Sequence, residues 1–579
     1  MKRPSSQDAG LGRASAWPAF TRRDLARTLG VTAVLPLAAT SELAASQQPT
    51  AAGLADDRFP VRRQGYIGDG RSHPLGSVET VAGATTKGWT LDQWRTLFPR
   101  AAALNEEIDR HAIQRYCDLH PEALALDLPP GIALLDRGIV TGGAQTIRIR
   151  GAGRDLTEIW FSEPDGTLWT HGRDQLADGS WTVEDLTIRP KAQCAAVFDV
   201  RFSGRQPAWC HIMRNVQFKP DDLSSFFRTV CITRNIKRGL DWQNIVAYGH
   251  HFHVLPGNAF EFPSNLDQKL AGNSYNFNNI MVVGYNYALN FDFTGFTSSN
   301  NHMHEEVQLY NVQAYAGVGL LRARNGNYAY APADNFTIIA CGFQGTGPAL
   351  DLHYLEHVRI RDTLFVNDVS AHSTTCFATI ENCDSVLLDG NQFFSSAGTQ
   401  LTGLSIFGSR TRNVTLERND IVAYSSFRTF LDIGSDVPAG GVEERSTGFG
   451  GKAAYQDGRV LDRSGLAATE TRARDAAAKA PAATAVPGTA SLQMTGDGDI
   501  VWDAVIETRT IDSEGRVRMA FPPGLMRSVK SVSVENAGSE TLSWVVLTAF
   551  DTSGATARLP QPGIQSGSSV RLHLRAIGR

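Results

Sequence analysis

Asn279-Ile280 and, a few residues on, the run Ala288-Leu289-Asn290-Phe291-Asp292-Phe293 form the unit on which the fold turns. A small polar residue ahead of a β-branched or apolar one opens a short strand, and the strict alternation of the second run puts apolar residues on one side and polar residues on the other. The same opening recurs at Asp185-Leu186, Asn215-Val216, Asn244-Ile245, Asn311-Val312, Asn335-Phe336, His357-Val358, Ser385-Val386 and Asn413-Val414. Six of these nine openers are Asn, and successive ones lie 22 to 35 residues apart, which suits one turn of a parallel β-helix and no helical repeat. Asn side chains stacked at an inward bend would hydrogen-bond from coil to coil, so a buried turn could accept an amide there. Second strands of the same alternating kind follow at Ala349-Leu350-Asp351-Leu352, Phe377-Ala378-Thr379-Ile380 and Phe430-Leu431-Asp432-Ile433. A large antiparallel sandwich would also use short alternating strands, but it gives no reason for the Asn ladder.

Composition is consistent with such a fold. The chain has 579 residues, 42% hydrophobic and 20% charged, so it can bury a large core. A formal charge of −4 argues against a general nucleic-acid or anionic-membrane surface. The seven Cys (Cys117, Cys194, Cys210, Cys231, Cys341, Cys376, Cys383) include no CxxC pair and read mostly as small buried fillers.

At the start, Thr21-Arg22-Arg23-Asp24-Leu25 precedes an apolar stretch from Leu29 to Ala39 and small residues through Ser46, the order of a twin-arginine export signal. That stretch is too short to span a bilayer. The reading is a signal over 1–46, an arm over 47–95, a β-helix with its capping helix over 96–435, a linker over 436–489 and a small β-sandwich over 490–579. Leu91 to Cys117 reads as the helix that covers the open end of the solenoid. The sandwich rests on "SVKSVSVENAG", "TLSWVVLTAF" and "SVRLHLRAIG" and carries no catalytic constellation, which suits an oligomerisation or anchoring cap or a sugar-binding module. The mature protein is expected to be exported, periplasmic or extracellular, without a membrane span.

"GDGRSHPL" (Gly68 to Leu75), Glu107 to Gln114, "LDLPPGIALL" (Leu126 to Leu135) and "IRIRGAGRDLTEIWF" (Ile147 to Phe161) together resemble the pectate-lyase-like superfamily of right-handed parallel β-helix proteins. The resemblance covers roughly residues 64–435. It implies an all-β, right-handed single-stranded solenoid and a carbohydrate-active or tailspike-type protein, a superfamily that includes lyases, hydrolases, epimerases and non-enzymatic adhesins.

Aligning the second strands on their inward residues predicts an outward row of Cys231, Glu261, Asp292, Arg322, Asp351, Thr379, Ser405 and Asp432. Coils ~4.8 Å apart would set Glu261 opposite Asp292, with Arg322 between Asp292 and Asp351. Paired carboxylates are what glycosidic hydrolysis needs, one protonated to assist the leaving group and one ionised to activate water or attack carbon. A register shift of two would replace Asp292 by Asn290, or Asp351 by His353. The plain alternative is a row that is polar because it faces water.

Eight of the 13 Tyr (Tyr248, Tyr275, Tyr285, Tyr287, Tyr310, Tyr315, Tyr328, Tyr330) fall within residues 248–330, where rings could stack on sugar faces or on one another in the wall. Of these, Tyr248, Tyr275, Tyr285, Tyr287 and Tyr315 are candidates to bind substrate, with His302, His304, His353 and Lys269. His250, His251 and His253 form a second histidine cluster; no third ligand at motif spacing makes either cluster a metal site.

Three functions fit these residues. The first is an exported enzyme that cleaves polysaccharides or oligosaccharides through the carboxylate row. The second is a polysaccharide lyase acting on a uronate, with Arg322, Lys269 and His302 as base and cation. The third is a tailspike-like adhesin that holds a glycan uncut, trimerised through the C-terminal domain. No cofactor is required, although clustered Asp oxygens in the row would suit Ca2+.

Overall fold

The computed structural model describes residues 58–462 and 491–578, apart from 143–145, 173–178, 202–210, 223, 235–237, 250–253, 264–272, 294–304, 326–332, 368–375, 395–400, 423–426, 446–458, 495–498, 510–515, 522–524, 526–527, 538–544 and 560–568. The proposed export signal therefore lies outside the described residues, as do Cys210, Lys269, His302, His304 and the cluster at His250, His251 and His253.

Each coil is bent by residues in the left-handed region, where a side chain costs roughly 1–2 kcal/mol unless it is Gly or a locally bonded Asn or Asp. All nine residues singled out as strand openers adopt it, with φ between 51° and 58°. They do not form one line, however. Asp185, Asn215, Asn244, Asn279 and Asn311 continue in register through Ala340, Asp362, Gly390 and Arg418. Asn335, His357, Ser385 and Asn413 belong to a separate corner, in line with Gly239, Ser274 and Glu306.

The two corners bound a short first face, represented by Asp241 to Gln243 and Asn276 to Asn278. A second face follows the second corner, and a third is the sheet of Ile139–Thr141, Thr167–His171, Gln193–Arg201, Phe226–Arg234, Phe260–Pro263, Tyr287–Phe293, Gly319–Asn325, Leu350–His353, Cys376–Glu381, Leu401–Phe407 and Phe427–Ile433, paired in parallel throughout. The chain is thus a parallel β-helix.

The Asn ladder exists but lies at the surface and not in a buried bend. Asn215 donates to Asp185 (3.0 Å), Asn244 to Asn215 (3.1 Å), Asn279 to Asn244 (2.6 Å) and Asn311 to Asn279 (3.2 Å). Asn215, Asn244 and Asn279 are exposed. Backbone conformation selects Asn there, because its short amide tolerates left-handed φ and bonds along the stack. Buried amides line an inner turn instead: Asn391 and Asn419 donate to the carbonyls of Ile360 and Leu388, and Asn419 Oδ1 accepts from Asn391. Replacing Asn244 by Ala combines left-handed strain with two lost ladder bonds, so denaturant titration should show a loss of about 2 kcal/mol or more, and Asn244→Gly a smaller one.

Inside, side chains stack coil on coil. Trp181, Trp242, Phe262 and Phe291 are buried, and the Phe262 and Phe291 rings stack at 4.5 Å. Six cysteines, Cys117, Cys194, Cys231, Cys341, Cys376 and Cys383, are buried, as their filler reading requires.

The expected capping helix is two helices, of which the second closes the first end and the first packs with the arm. Thr90 and Gln93 form a capping box for α1 (Leu91–Leu97). Phe98 leaves the helical region ahead of Pro99, and α2 (Ile108–Leu119) then seats Ala112 and Ile113 in the solenoid core. Asp109 ties α2 to the arm by accepting from the backbone N–H groups of Ile67 and Gly68. Burial pushes its carboxyl up to about 6 despite these bonds.

The other end runs past residue 435. Val442–Glu444 and Val460–Asp462 add parallel strands beyond Arg412–Glu417, because Val442 and Val460 continue the inward position of Val414. This part of the expected linker is therefore solenoid. Ser491–Met494, Ile500–Arg509, Ser569–Gly578 and Val529–Asn536 then form one antiparallel sheet. Arg516–Ala520, Gly554–Arg558 and Val546–Asp551 form the other. No described helix is long and apolar enough to cross a membrane.

Candidate active site on the third face

The third face carries the predicted charges in two rows instead of one. The first is Asp199, Ile232, Glu261, Asn290, Arg322, Asp351, Thr379, Ser405 and Asp432. Two residues further along each strand lies the second: Arg201, Arg234, then Pro263, Asp292, Arg324, His353 and Glu381. Cys231 leaves the predicted row because it points inward and is fully buried. Asn290, not Asp292, faces Glu261, which is the two-residue shift that alternation by itself leaves open.

Glu261 is held by amides. Asn258 Nδ2 donates to its Oε1 and Asn290 Nδ2 to its Oε2, each at 2.6 Å. Asp292 stands opposite Arg324 in the next coil. One strand spacing and two residues of rise separate the Glu261 and Asp292 positions by ~8 Å on the diagonal.

Asp351 is the centre of an ion-pair network. Arg324 donates to its Oδ2 through Nε at 2.8 Å and through Nη2 at 2.5 Å, and His353 Nε2 lies 2.7 Å from Oδ1. His353 Nδ1 in turn lies 2.7 Å from Glu381 Oε2. Burial pushes the Asp351 carboxyl up, but the His353 bond and charge and the Arg324 charge outweigh it and hold the group below the ordinary carboxylate range. Arg322 approaches Asp351 only to 3.7 Å. Replacing the buried Asp351 by Asn removes the carboxylate bonded by Arg324, which is itself 37% exposed, and by His353, so urea titration should show a loss of about 1–2 kcal/mol, while Thr379→Ala in the same row should be nearly neutral.

The tyrosines divide. Tyr287 is buried at the start of the third-face strand, packed on Gly319 of the next coil, where a Cβ would overlap its ring. Burial and then the Asp351 charge push its phenol up, opposed by Arg322 and Arg324, so it lies within electrostatic reach of the network. Tyr275 and Tyr285 are 1% and 2% exposed and belong to the core, where they cannot touch a ligand. Tyr248 and Tyr315 face outward on the second face, away from the carboxylates, and the Tyr315 hydroxyl donates to Gln313.

Sequence alternation located Glu261, Asp292, Arg322, Asp351 and His353 on this face and gave Asn290 as the alternative to Asp292, but missed Arg324 and Glu381. The signal for Arg324 and Glu381 was their place two residues along from row members, on the same side of the strand. Among the described residues no group of three or more His, Cys, Asp or Glu is arranged to hold a metal ion.

No protein-family profile matches the sequence, and no curated protein sequence does. Solved structures do resemble it. The tailspike protein gp49 from Pseudomonas phage LKA1 is 13% identical, with 89% of this chain and 99% of that chain covered and a TM-score of 0.43. The A-module of the mannuronan C-5 epimerase AlgE6 from Azotobacter vinelandii is 16% identical over 58% of this chain and 86% of that one, with a TM-score of 0.39. The tailspike gp49 of the Acinetobacter baumannii bacteriophage Fri1, a capsular polysaccharide depolymerase, is 10% identical over 81% and 82%, with a TM-score of 0.26. The parallel β-helix is the architecture that this chain's own strand pairing defines.

Proposed function

We propose that this protein is an exported glycan-cleaving enzyme, a glycoside hydrolase whose substrate lies along the third face across Glu261 and Asp292. The observation that carries the reading is the diagonal of Glu261 and Asp292, whose backbone positions lie ~8 Å apart, set beside a braced charge network. Carboxyl groups about 6.5–9.5 Å apart leave room for a water molecule between sugar and base, so side chains that keep the spacing of their backbone positions give inversion at the anomeric carbon. Glu261 and Asp292 are assigned the two proton-transfer roles, protonation of the leaving oxygen and activation of water, with Asn258 and Asn290 holding Glu261 and Arg324 standing opposite Asp292. The Asp351–His353–Glu381 chain holds Arg324 in place.

A lyase is the second reading, favoured by Arg322, whose nearest carboxylate oxygen lies at 3.7 Å and whose guanidinium could meet a sugar carboxylate. Digestion of a panel of neutral and acidic polysaccharides, read by mass spectrometry, separates the readings. Products heavier by one water support hydrolysis, unsaturated products support elimination, and intact chains that co-migrate with the protein support an adhesin.

The C-terminal sandwich is assigned to self-association, as a trimer cap. Val546 and Phe550, on a strand paired on one side only among the described residues, are 49% and 44% exposed. Light scattering and intact mass of protein recovered from the periplasm or medium should show a trimer of chains that begin after about residue 46. A monomer, or chains that retain Met1, would refute the corresponding assignment.

A further inference from the structure

The first face carries a feature that cleavage on the third face does not use. Its outward residues run in register from Thr182 and Glu184 to Thr415 and Glu417. Charges occupy both ends. Arg214 pairs with Asp241 at 2.5 Å, and Arg361 and Arg418 pair with Asp389 at 3.4 and 2.6 Å. Between them the outward residues are Asn276 and Asn278, Gln308 and Tyr310, then Thr337 and Ile339, with no charge among them. Asn276 is spent on Asp241 at 3.0 Å. Asn278, Gln308 and Tyr310 make no side-chain hydrogen bond among the described residues, Gln308 is exposed, and Tyr310 is 53% exposed.

The rim of the same window is the Asn279–Asn311 part of the ladder. Each ladder amide spends one N–H and one lone pair on its neighbours and keeps a second of each for an outside partner. Donor and acceptor pairs therefore repeat every ~4.8 Å beside an exposed aromatic ring. This pattern suits hydroxyl groups that both give and accept hydrogen bonds and a ring face that is apolar. It does not suit an anionic chain, because the window's outward residues carry no cation and the exposed Glu306 stands at its first corner.

We propose that this window is a second glycan-binding surface, non-catalytic and selective for an uncharged, hydroxyl-rich polysaccharide, with Tyr310 as the stacking platform and Asn278, Gln308, Asn279 and Asn311 as its polar contacts. It occupies the same coils as Asp292 and Arg324 but a different face of the solenoid. The surface can therefore hold a polymer that the third face does not cut.

The test is affinity electrophoresis of the full-length protein in gels containing dextran, mixed-linkage β-glucan, xylan or galactomannan, with polygalacturonate as the charged comparison. Asp292→Asn is used as the parent so that chains stay intact. Tyr310→Ala and Gln308→Ala alter side chains that contact little else, and circular dichroism checks that each remains folded. The expected result is retention of the parent by at least one neutral polysaccharide, weakened about three- to tenfold by Tyr310→Ala and further by the double variant. Retention by no neutral polysaccharide, retention that the Tyr310 and Gln308 variants leave unchanged, or stronger retention by polygalacturonate lost in those variants would overturn the proposal. Loss of cleavage with this binding intact, or the reverse, separates its failure from failure of the hydrolase reading.

Discussion

Glu261→Gln and Asp292→Asn are each expected to lower turnover of the cleaved polysaccharide by about 10²–10⁴-fold while leaving the protein folded and able to hold the chain. Either change keeps the shape of the side chain and removes its ability to exchange a proton. Asn258 and Asn290 can still engage the amide oxygen that takes the place of a Glu261 carboxylate oxygen, so the local hydrogen bonds survive at least in part. If the two carboxylates act as one acid–base pair, the double variant should be little worse than the worse single one. Rates measured by reducing-end release, together with the anomer first formed by NMR, decide the matter. Unchanged turnover in both single variants would remove the diagonal from the mechanism. Retention of configuration would move the second carboxylate from base to nucleophile.

The second large effect concerns the core and appears on acidification. His211 is fully buried, its ring set edge-on to Trp181 and Trp242, and neither ring nitrogen has a hydrogen-bond partner among the described residues. His171 lies against the same Trp181, with Nδ1 3.0 Å from the Thr141 hydroxyl. Burial pulls His211 down to about 3, with the nearby His171 adding to the effect, and burial pulls His171 down to about 4.

Both imidazoles are therefore neutral when folded, whereas the unfolded chain protonates them near pH 6.5. Their contribution to stability is complete above pH 6.5 and is lost as the pH falls toward the folded values of about 3 and 4. With each unit worth ~1.4 kcal/mol, the pair should cost on the order of 5 kcal/mol between pH 7 and pH 4. His211→Leu removes one of the two groups and should flatten that loss by roughly half, as read from denaturation midpoints at both pH values. Parallel profiles for the variant and the parent would show that these histidines are not the acid-sensitive element.

Much of this architecture was legible residue by residue. Asn215, Asn244, Asn279 and Asn311 announced a coil repeat because few side chains tolerate left-handed φ in an otherwise extended strand. The alternation around Asp351 and Glu261 assigned them correctly to an outward face. The reading of Leu91 to Cys117 as one helix followed the apolar pattern past Pro99, ahead of which α1 ends. The aromatic clustering misled, since Tyr275 and Tyr285 serve the core and the rings at Tyr248 and Tyr315 line another face. Aromatic residues meet the same hydrophobic demand whether they pack or bind.

By itself, then, the sequence determined that the chain forms a coil-by-coil parallel solenoid, closed at its start by a helix, with alternating inward and outward residues. These properties follow from local backbone preference and from a side-chain period of two, both of which are written in consecutive residues. Tertiary structure alone decided which residues meet. Asn335 follows Asn311 in the pattern, yet Ala340 follows it in space, because each coil has two left-handed corners and either can carry a polar residue. Likewise Asp292 and Asn290 are equally outward, and only pairing between coils set Asn290 against Glu261 and Asp292 against Arg324. A shift of two residues preserves every inward contact type while exchanging the charges on the surface, so register is fixed by the packing of the whole stack and not by any one strand.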